Sequence, residues 1–321
     1  MIVITGAAGF IGSCLVAALN QAGYYDLVLV DDFSRPEKED NYLQKRYSAL
    51  VNRDQLMDWI DQEQASIQYI FHLGARTDTT EFDVSIHTRL NLEYSKALWL
   101  KCVAYGLPIT YASSAATYGD GAFGFDDDIA LLPNLKPLNP YGDSKHAFDI
   151  WALAQDQKPF QWAGLKFFNV YGPNEYHKGR MASVVYHAYK QIAQKGHMQL
   201  FRSHRPEYKD GEQLRDFVYV KDVIAVCMWL MNHRQVSGLF NLGSGQARTF
   251  LDLSEQVFKS LEKPADIRFV DTPLDIRETY QYFTEARMTK LLAAGYGGRW
   301  HSLEEGIDDY VSNYLTQDLY F

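Results

Sequence analysis

Thr5-Gly6-Ala7-Ala8-Gly9-Phe10-Ile11-Gly12 reads T-G-A-A-G-F-I-G and stands directly behind Ile2-Val3-Ile4. That β-branched run is of the kind that forms a buried parallel strand. From Phe10 onward the apolar residues Phe10, Ile11, Leu15, Val16 and Leu19 fall at helical spacing. Glycines at 6, 9 and 12 therefore sit at a strand-to-helix turn, where they let the backbone approach a pyrophosphate. The free N–H groups and positive dipole end of the helix can then hold the anion. The next apolar run, Leu27-Val28-Leu29-Val30, closes on Asp31, an acid placed to receive an adenosine ribose. A glycine triplet alone is a weak signal; strand, helix and acid around it make it a dinucleotide-binding one. Gly6, Gly9, Phe10, Ile11, Gly12 and Asp31 are accordingly expected to contact a dinucleotide.

Strand and helix signals alternate outward from this turn. Strands are expected at 2–5, 26–31, 68–72, 108–112 and 164–168, and helices at 10–22, 53–62, 85–105 and 141–156. Such alternation predicts a Rossmann-type doubly wound parallel sheet covered on both faces. After Gly172 the regularity weakens. Residues 180–195 read as a helix, Ser203 to Gln213 as a polar loop, and 217–220 and 240–242 as short strands. The expected organisation is a dinucleotide-binding domain over 1–172, with a returning segment near 215–245. A smaller α/β substrate domain, 173–321, is interleaved with it. Ligands of such sheets lie at the carboxyl ends of the strands, so the chemistry is expected near 6–12, 72–78, 112–118 and 169–178.

Composition narrows the function classes. The chain has 321 residues, 47% of them hydrophobic, and a formal net charge of −9, which argues against a general nucleic-acid binder. No apolar stretch is long enough to span a bilayer. A strand is expected from Ile2 with no basic leader before it, so no signal peptide is expected, and Cys14, Cys102 and Cys227 are isolated, without a C-x-x-C pair. A cytoplasmic, reducing location without structural zinc is expected. No His/Cys/Asp cluster has metal-ligand spacing, so no metal is expected.

Tyr141-Gly142-Asp143-Ser144-Lys145 gives Y-x-x-x-K at the start of a predicted helix. Residues at i and i+4 share a helix face, which sets Lys145 beneath Tyr141. A tyrosine with its ordinary pKa near ~10 is a poor base at neutral pH. A neighbouring ammonium and a positively charged nicotinamide ring are expected to favour the phenolate and make Tyr141 a usable acid/base. Ser113-Ser114 follows the apolar run Leu107 to Ala112 and precedes Tyr118-Gly119, so the Ser114 hydroxyl can hydrogen-bond a reacting oxygen.

The glycine turn, Ser114, Tyr141 and Lys145 in this order resemble extended short-chain dehydrogenase/reductase enzymes that act on nucleotide sugars. So do Phe71-His72-Leu73-Gly74-Ala75, Asn91 with Ser95, Phe168-Asn169-Val170-Tyr171-Gly172-Pro173 and Arg215-Asp216-Phe217-Val218. Dehydratases of that group carry an Asp-Glu pair where this chain has Ala115-Ala116, and two methyl groups cannot eliminate water. A closer resemblance runs from residue 1 to about 310. Thr79-Thr80-Glu81-Phe82-Asp83, Tyr111 to Gly119, His177-Lys178-Gly179-Arg180-Met181-Ala182-Ser183 and Tyr280-Gln281-Tyr282-Phe283-Thr284 are similar to the ADP-glyceromanno-heptose 6-epimerases.

That resemblance implies epimerisation at C6 of ADP-D-glycero-D-manno-heptose through a transient 6-ketone, for lipopolysaccharide core assembly. Lys178 would be a second catalytic group beside Tyr141. It implies homo-oligomers, for which Ala97-Leu98-Trp99-Leu100 is either a contact face or core. It adds Leu73, Gly74, Ala75 and Asn91 to the expected cofactor contacts. For the sugar nucleotide it implies Ser114, Asn169, Lys178, Arg180, Ser183, His187, Phe201, Arg215 and Tyr280. The chain departs from the family pattern at Leu73, at Arg76-Thr77-Asp78, in the longer segment Ser203 to Gln213, and at Thr279, where the family has an arginine. Asp31 and Asp32 would repel a 2′-phosphate, while Arg35, Lys38 and Arg53 would attract one. NADP is the expected cofactor, with NAD the alternative. Two other functions stay open: a UDP-hexose 4-epimerase type of enzyme and a non-catalytic NADP-binding module.

Overall fold

The computed structural model describes residues 1–277 and 280–321. Its strands are β1 (Ile2–Thr5), β2 (Leu27–Asp31), β3 (Ala49–Asn52), β4 (Tyr69–His72), β5 (Ile109–Ser114), β6 (Trp162–Phe167), β7 (Asn169–Tyr171), β8 (Met198–Phe201), β9 (Leu214–Tyr219), β10 (Gly238–Leu242), β11 (Ala247–Thr249) and β12 (Ile267–Val270). Its α-helices are α1 (Phe10–Gln21), α2 (Leu56–Glu63), α3 (Val84–His87), α4 (Tyr94–Tyr105), α5 (Pro140–Ala154), α6 (Val184–Lys195), α7 (Val220–Asn232), α8 (Phe250–Ser260), α9 (Leu274–Arg277), α10 (Thr289–Ala293) and α11 (Leu303–Tyr310).

Seven strands form one parallel sheet in the order β10-β6-β5-β4-β1-β2-β3. β1, β2 and β4 are buried at every residue, which is why their sequences are apolar runs rather than alternating patterns. The order of β1 to β6 reverses between β1 and β4, the switch point at which such sheets open a crevice. Two smaller sheets follow: β7 pairs parallel with β9 and β9 antiparallel with β11, while β8 pairs parallel with β12.

The expected doubly wound α/β sheet is present, with differences of detail. The helix expected over 85–105 is α3 and α4 joined by a π turn at Thr88–Glu93. Such turns recur at functional sites, and this one carries the fully buried Asn91. Within Ala97–Leu100, Leu98 and Trp99 are core while Leu100 is exposed. β3, β7, β8, β11, β12, α7, α8, α9, α10 and α11 have no counterpart in the sequence reading. Cys14, Cys102 and Cys227 are free, buried and helical. Among the described residues no helix is long and apolar enough to cross a membrane.

His72 ties the switch point together. Its Nδ1 lies 2.7 Å from the Thr5 hydroxyl and its Nε2 2.9 Å from that of Ser95. Burial pushes the imidazole down to about 3. The folded protein therefore keeps His72 neutral where the unfolded chain protonates it, below its ordinary 6.5. Between these values the unfolded state binds more protons, so stability falls as pH drops through that window. His177, brought by burial to about 4, acts in the same direction. Melting temperature should decline from pH 6.5 to 4, and the decline should be shallower in His72→Asn. Parallel profiles for the two proteins would contradict this account.

Candidate active site

The glycine turn is shaped by contact between the ends of β1 and β4. Gly6 has φ +70°, and a Cβ there would stand 2.7 Å from the Gly74 Cα. A Cβ on Gly12 would overlap the Gly6 carbonyl oxygen. The Thr5 hydroxyl accepts the Gly74 N–H at 3.0 Å and fixes the two strand ends together. The first turn of α1 has neither a side-chain cap nor an acidic residue. Its residues Gly9 to Gly12 line a cleft of about 560 Å³, the environment a diphosphate needs.

Asp31 closes the turn. Its carboxylate accepts the Ala8 N–H at 3.0 Å, the Asp32 N–H at 2.8 Å and the Lys38 ammonium at 3.0 Å. Arg35, Lys38, Arg53, Leu73, Gly74 and Ala75 line the same cleft. Asp32 stands outside that lining and faces Arg53 at 3.4 Å and Arg35 at 3.7 Å. Arg76, Thr77 and Asp78 form a further wall, with the Arg76 guanidinium 3.2 Å from Asp78 and 3.5 Å from Glu81.

Asn91 is fully buried behind that wall. Its side chain accepts the Arg76 N–H at 2.8 Å and donates to the Arg76 carbonyl at 3.0 Å and the Ser144 hydroxyl at 3.0 Å. Its amide is thereby committed to tying the cleft wall to α5.

Asn139 caps α5 by accepting the Gly142 N–H, and Pro140 opens the helix, both favourable at those positions. Tyr141 is half-buried on the first turn. Lys145 is 3% exposed one turn later, and its ammonium donates to the Ala112 carbonyl at 2.8 Å. Ser114 ends β5, where its hydroxyl accepts the Ala116 N–H at 3.1 Å and faces the Tyr141 phenol.

The lowering expected of Tyr141 comes from Lys145 together with a positively charged nicotinamide ring; the chain's own groups together raise it. Burial dominates and pushes the phenol above its ordinary range, with only the Ser114 hydroxyl opposing it. Lys145 is itself brought by burial to about 8.

Lys178 stands apart from this trio, in the helical turn Tyr176–Met181. Its ammonium lies 5.3 Å from the centre of the Phe10 ring, on the wall of the cleft that holds the glycine turn. Burial lowers its pKa and the Glu175 carboxylate opposes that. Ser114, Tyr141 and Lys145 lie outside the cleft lining; Asn91 links their helix to it.

The remaining expected residues divide into two groups. Near Lys178, the Arg180 carbonyl lies 3.3 Å from the His187 imidazole. The Ser183 hydroxyl is committed to Glu175 at 2.6 Å and to the Tyr186 N–H at 3.2 Å. Farther along the chain, the Arg215 guanidinium lies 5.4 Å from the centre of the Tyr280 ring, which meets Phe201 at 6.3 Å. Burial brings Arg215 to about 10, still cationic at neutral pH. Gln281, absent from the sequence-based assignment, takes the Arg215 guanidinium on its carbonyl and donates to the Gly119 carbonyl. It joins this group to the loop after Ser114. Asn169 opens β7, exposed. The departure at Thr279 lies outside the described residues.

Residues 2–243 match the model of the NAD dependent epimerase/dehydratase family. A Nitratidesulfovibrio vulgaris (strain DP4) protein named ADP-L-glycero-D-manno-heptose-6-epimerase is 48% identical, over 98% of each chain. One of the same name from Fusobacterium nucleatum is 44% identical, over 99% of each. The chain belongs to the NAD dependent epimerase/dehydratase family, among the ADP-L-glycero-D-manno-heptose-6-epimerases. The crystal structure of the Helicobacter pylori ADP-L-glycero-D-manno-heptose-6-epimerase matches with a TM-score of 0.81 at 28% identity, covering 97% of this chain and 95% of that one. Membership makes the chain an isomerase of a nicotinamide-dinucleotide-dependent family, and the uncapped α1 turn and the cleft beside it fit that cofactor.

Proposed function

We propose that the protein inverts C6 of ADP-D-glycero-D-manno-heptose to give the L-glycero form, for lipopolysaccharide core assembly. The observation that carries this reading is near full-length likeness to relatives of that name; the placement of Lys178 on the wall of the dinucleotide cleft supports it. Residues 1–172, with 215–245 returning to the sheet, hold the dinucleotide, and 173–321 hold the sugar nucleotide. The glycine turn would take the diphosphate, Asp31 a ribose, and Lys145 the ribose nearest the nicotinamide. NADP is proposed ahead of NAD because Arg35, Lys38 and Arg53 line the cleft beside Asp31, while Asp32 stands outside its lining.

The bound dinucleotide supplies a hydride acceptor and then its donor. Ser114 hydrogen-bonds the sugar O6, and Tyr141 and Lys178 exchange a proton with it. C6 is exocyclic, so rotation about C5–C6 presents the other face of the 6-ketone and moves its oxygen. Two proton-transfer groups at different places serve the two positions of that oxygen, one accepting a proton and the other returning it. Arg215 and the loop around Asn169 would hold the diphosphate of the sugar nucleotide, with Phe201, Tyr280, Arg180 and His187 as its further contacts. The Ser183 hydroxyl, already committed to Glu175, contributes through its loop. The protein is proposed to act as a cytoplasmic homo-oligomer.

Incubating purified protein with ADP-D-glycero-D-manno-heptose, without added cofactor, should give an equilibrium mixture of C6 epimers by NMR, and denaturation should release NADP. No conversion with either dinucleotide, alongside turnover of a UDP-hexose, would overturn the heptose assignment. Release of NAD would overturn the cofactor preference.

A further inference from the structure

The loop that carries Lys178 is held by a carboxylate that the catalytic scheme does not use. Glu175 is 0% exposed, three residues before Lys178, whose N–H donates to the Glu175 carbonyl at 3.0 Å. One carboxylate oxygen accepts the Ser183 hydroxyl at 2.6 Å and the Gly172 N–H at 3.4 Å. The other accepts the Ser183 N–H at 2.5 Å. The Ser183 hydroxyl oxygen already accepts the Tyr186 N–H, so its own proton is directed to Glu175. Burial pushes the Glu175 carboxyl up, and these partners, all donors, together with the Lys178 ammonium oppose it and favour the ionised form. The two ends of the Lys178 turn, Gly172 and Ser183, thus close onto one side chain.

The surroundings assign the charge a second role. Glu175 is faced by Cys14 of α1, Tyr186 of α6, Tyr310 of α11 and Tyr176 and Lys178 of its own loop. Lys178 is faced by the Phe10 ring and by His177, and Glu175 is the acid whose field acts on its ammonium. A buried lysine loses its proton readily, and a buried carboxylate nearby offsets that loss.

We propose that Glu175 is a positioning residue of the epimerisation, pinning the turn from Gly172 to Ser183 and holding the Lys178 ammonium against the cleft. This rests on Lys178 acting in the proposed reaction. A glutamine at 175 keeps the shape but sets an N–H₂ group against a donor and removes the charge.

In Glu175→Gln, kcat should fall at least tenfold with KM and NADP affinity little changed. The limb of the kcat–pH profile that Lys178→Met removes should move to lower pH, by about one unit for loss of an adjacent opposite charge. Glu175→Asp keeps the charge, so the limb should stay in place while kcat falls, and this variant carries the test if the glutamine protein does not fold. Titration of the ¹³C-labelled Lys178 side chain by NMR reads the same coupling without turnover. Native protein inactive on the heptose would therefore sink the proposed function while leaving this test intact. A native-like kcat with an unmoved limb in Glu175→Gln, or an unmoved Lys178 titration, would overturn the inference.

Discussion

Tyr141→Phe and Lys178→Met should each lower kcat by about 10² to 10⁴, the usual contribution of a positioned proton-transfer group. NADP affinity should stay near that of the unaltered protein. Tyr141→Phe deletes one hydroxyl, the group that meets Ser114, and leaves the ring against His87, 6.3 Å away. Lys178→Met retains the length of the side chain over Phe10 and removes the ammonium. Neither change touches the Thr5–Gly74 hydrogen bond or the Asp31 carboxylate that shape the cofactor turn. The loss should therefore appear in the chemical step, read by single-turnover measurement of epimer conversion. The lysine variant separates the two enzymatic readings. If Lys178 only neutralised a sugar-nucleotide phosphate, its loss would raise KM and spare kcat. Retained turnover in Tyr141→Phe would remove the phenol from the reaction.

The parts of this fold legible in the sequence are those whose local pattern and tertiary role coincide. β1, the glycine turn and α1 are encoded within some twenty residues because both faces of the strand are buried and the backbone itself forms the site. α7 escaped although its buried residues Val220, Val223, Ile224, Cys227 and Leu230 keep helical spacing. Its first turns are rich in β-branched residues, and the strand preceding it, β9, runs into it without a break. The site divides in the same way. Tyr141, Lys145 and Ser114 are announced by spacing along one helix and one strand end. Arg215 and Gln281 lie far apart in sequence and meet only through tertiary packing. Asn91 shows a different limit: its motif was visible, but only the π turn reveals that its amide is consumed by Arg76 and Ser144. Nor could the sequence show that burial and Asp149 raise the Tyr141 phenol, because that depends on how α5 packs.

Lys166→Met should destabilise the protein by about 3–5 kcal/mol, the cost of leaving a buried charge without its partner. Lys166 on β6 is 1% exposed and Asp149 on α5 is 0% exposed, with their charged atoms 2.9 Å apart. Asp149 also accepts the Ser113 hydroxyl at 2.7 Å and the Tyr111 hydroxyl at 3.2 Å. Lys166 donates to the Thr117 hydroxyl at 2.6 Å. Removing the ammonium leaves a carboxylate inside the core with two neutral donors. Removing both charges, in Lys166→Met with Asp149→Leu, should recover much of the loss, as replacement of buried pairs by apolar residues commonly does. Urea unfolding of the two proteins measures the difference; a single-variant loss below about 1 kcal/mol, the range of exposed pairs, would show that the pair is not buried as described. Stability is only part of the consequence. Asp149 lies two turns beyond Tyr141 and one beyond Lys145 on α5, and its charge raises the pKa of both. The double variant should therefore fold and yet turn over with its Tyr141 and Lys145 limbs displaced to lower pH, because the carboxylate that favoured their protonated forms is gone. A pair that only stabilised the core would leave those limbs where they are.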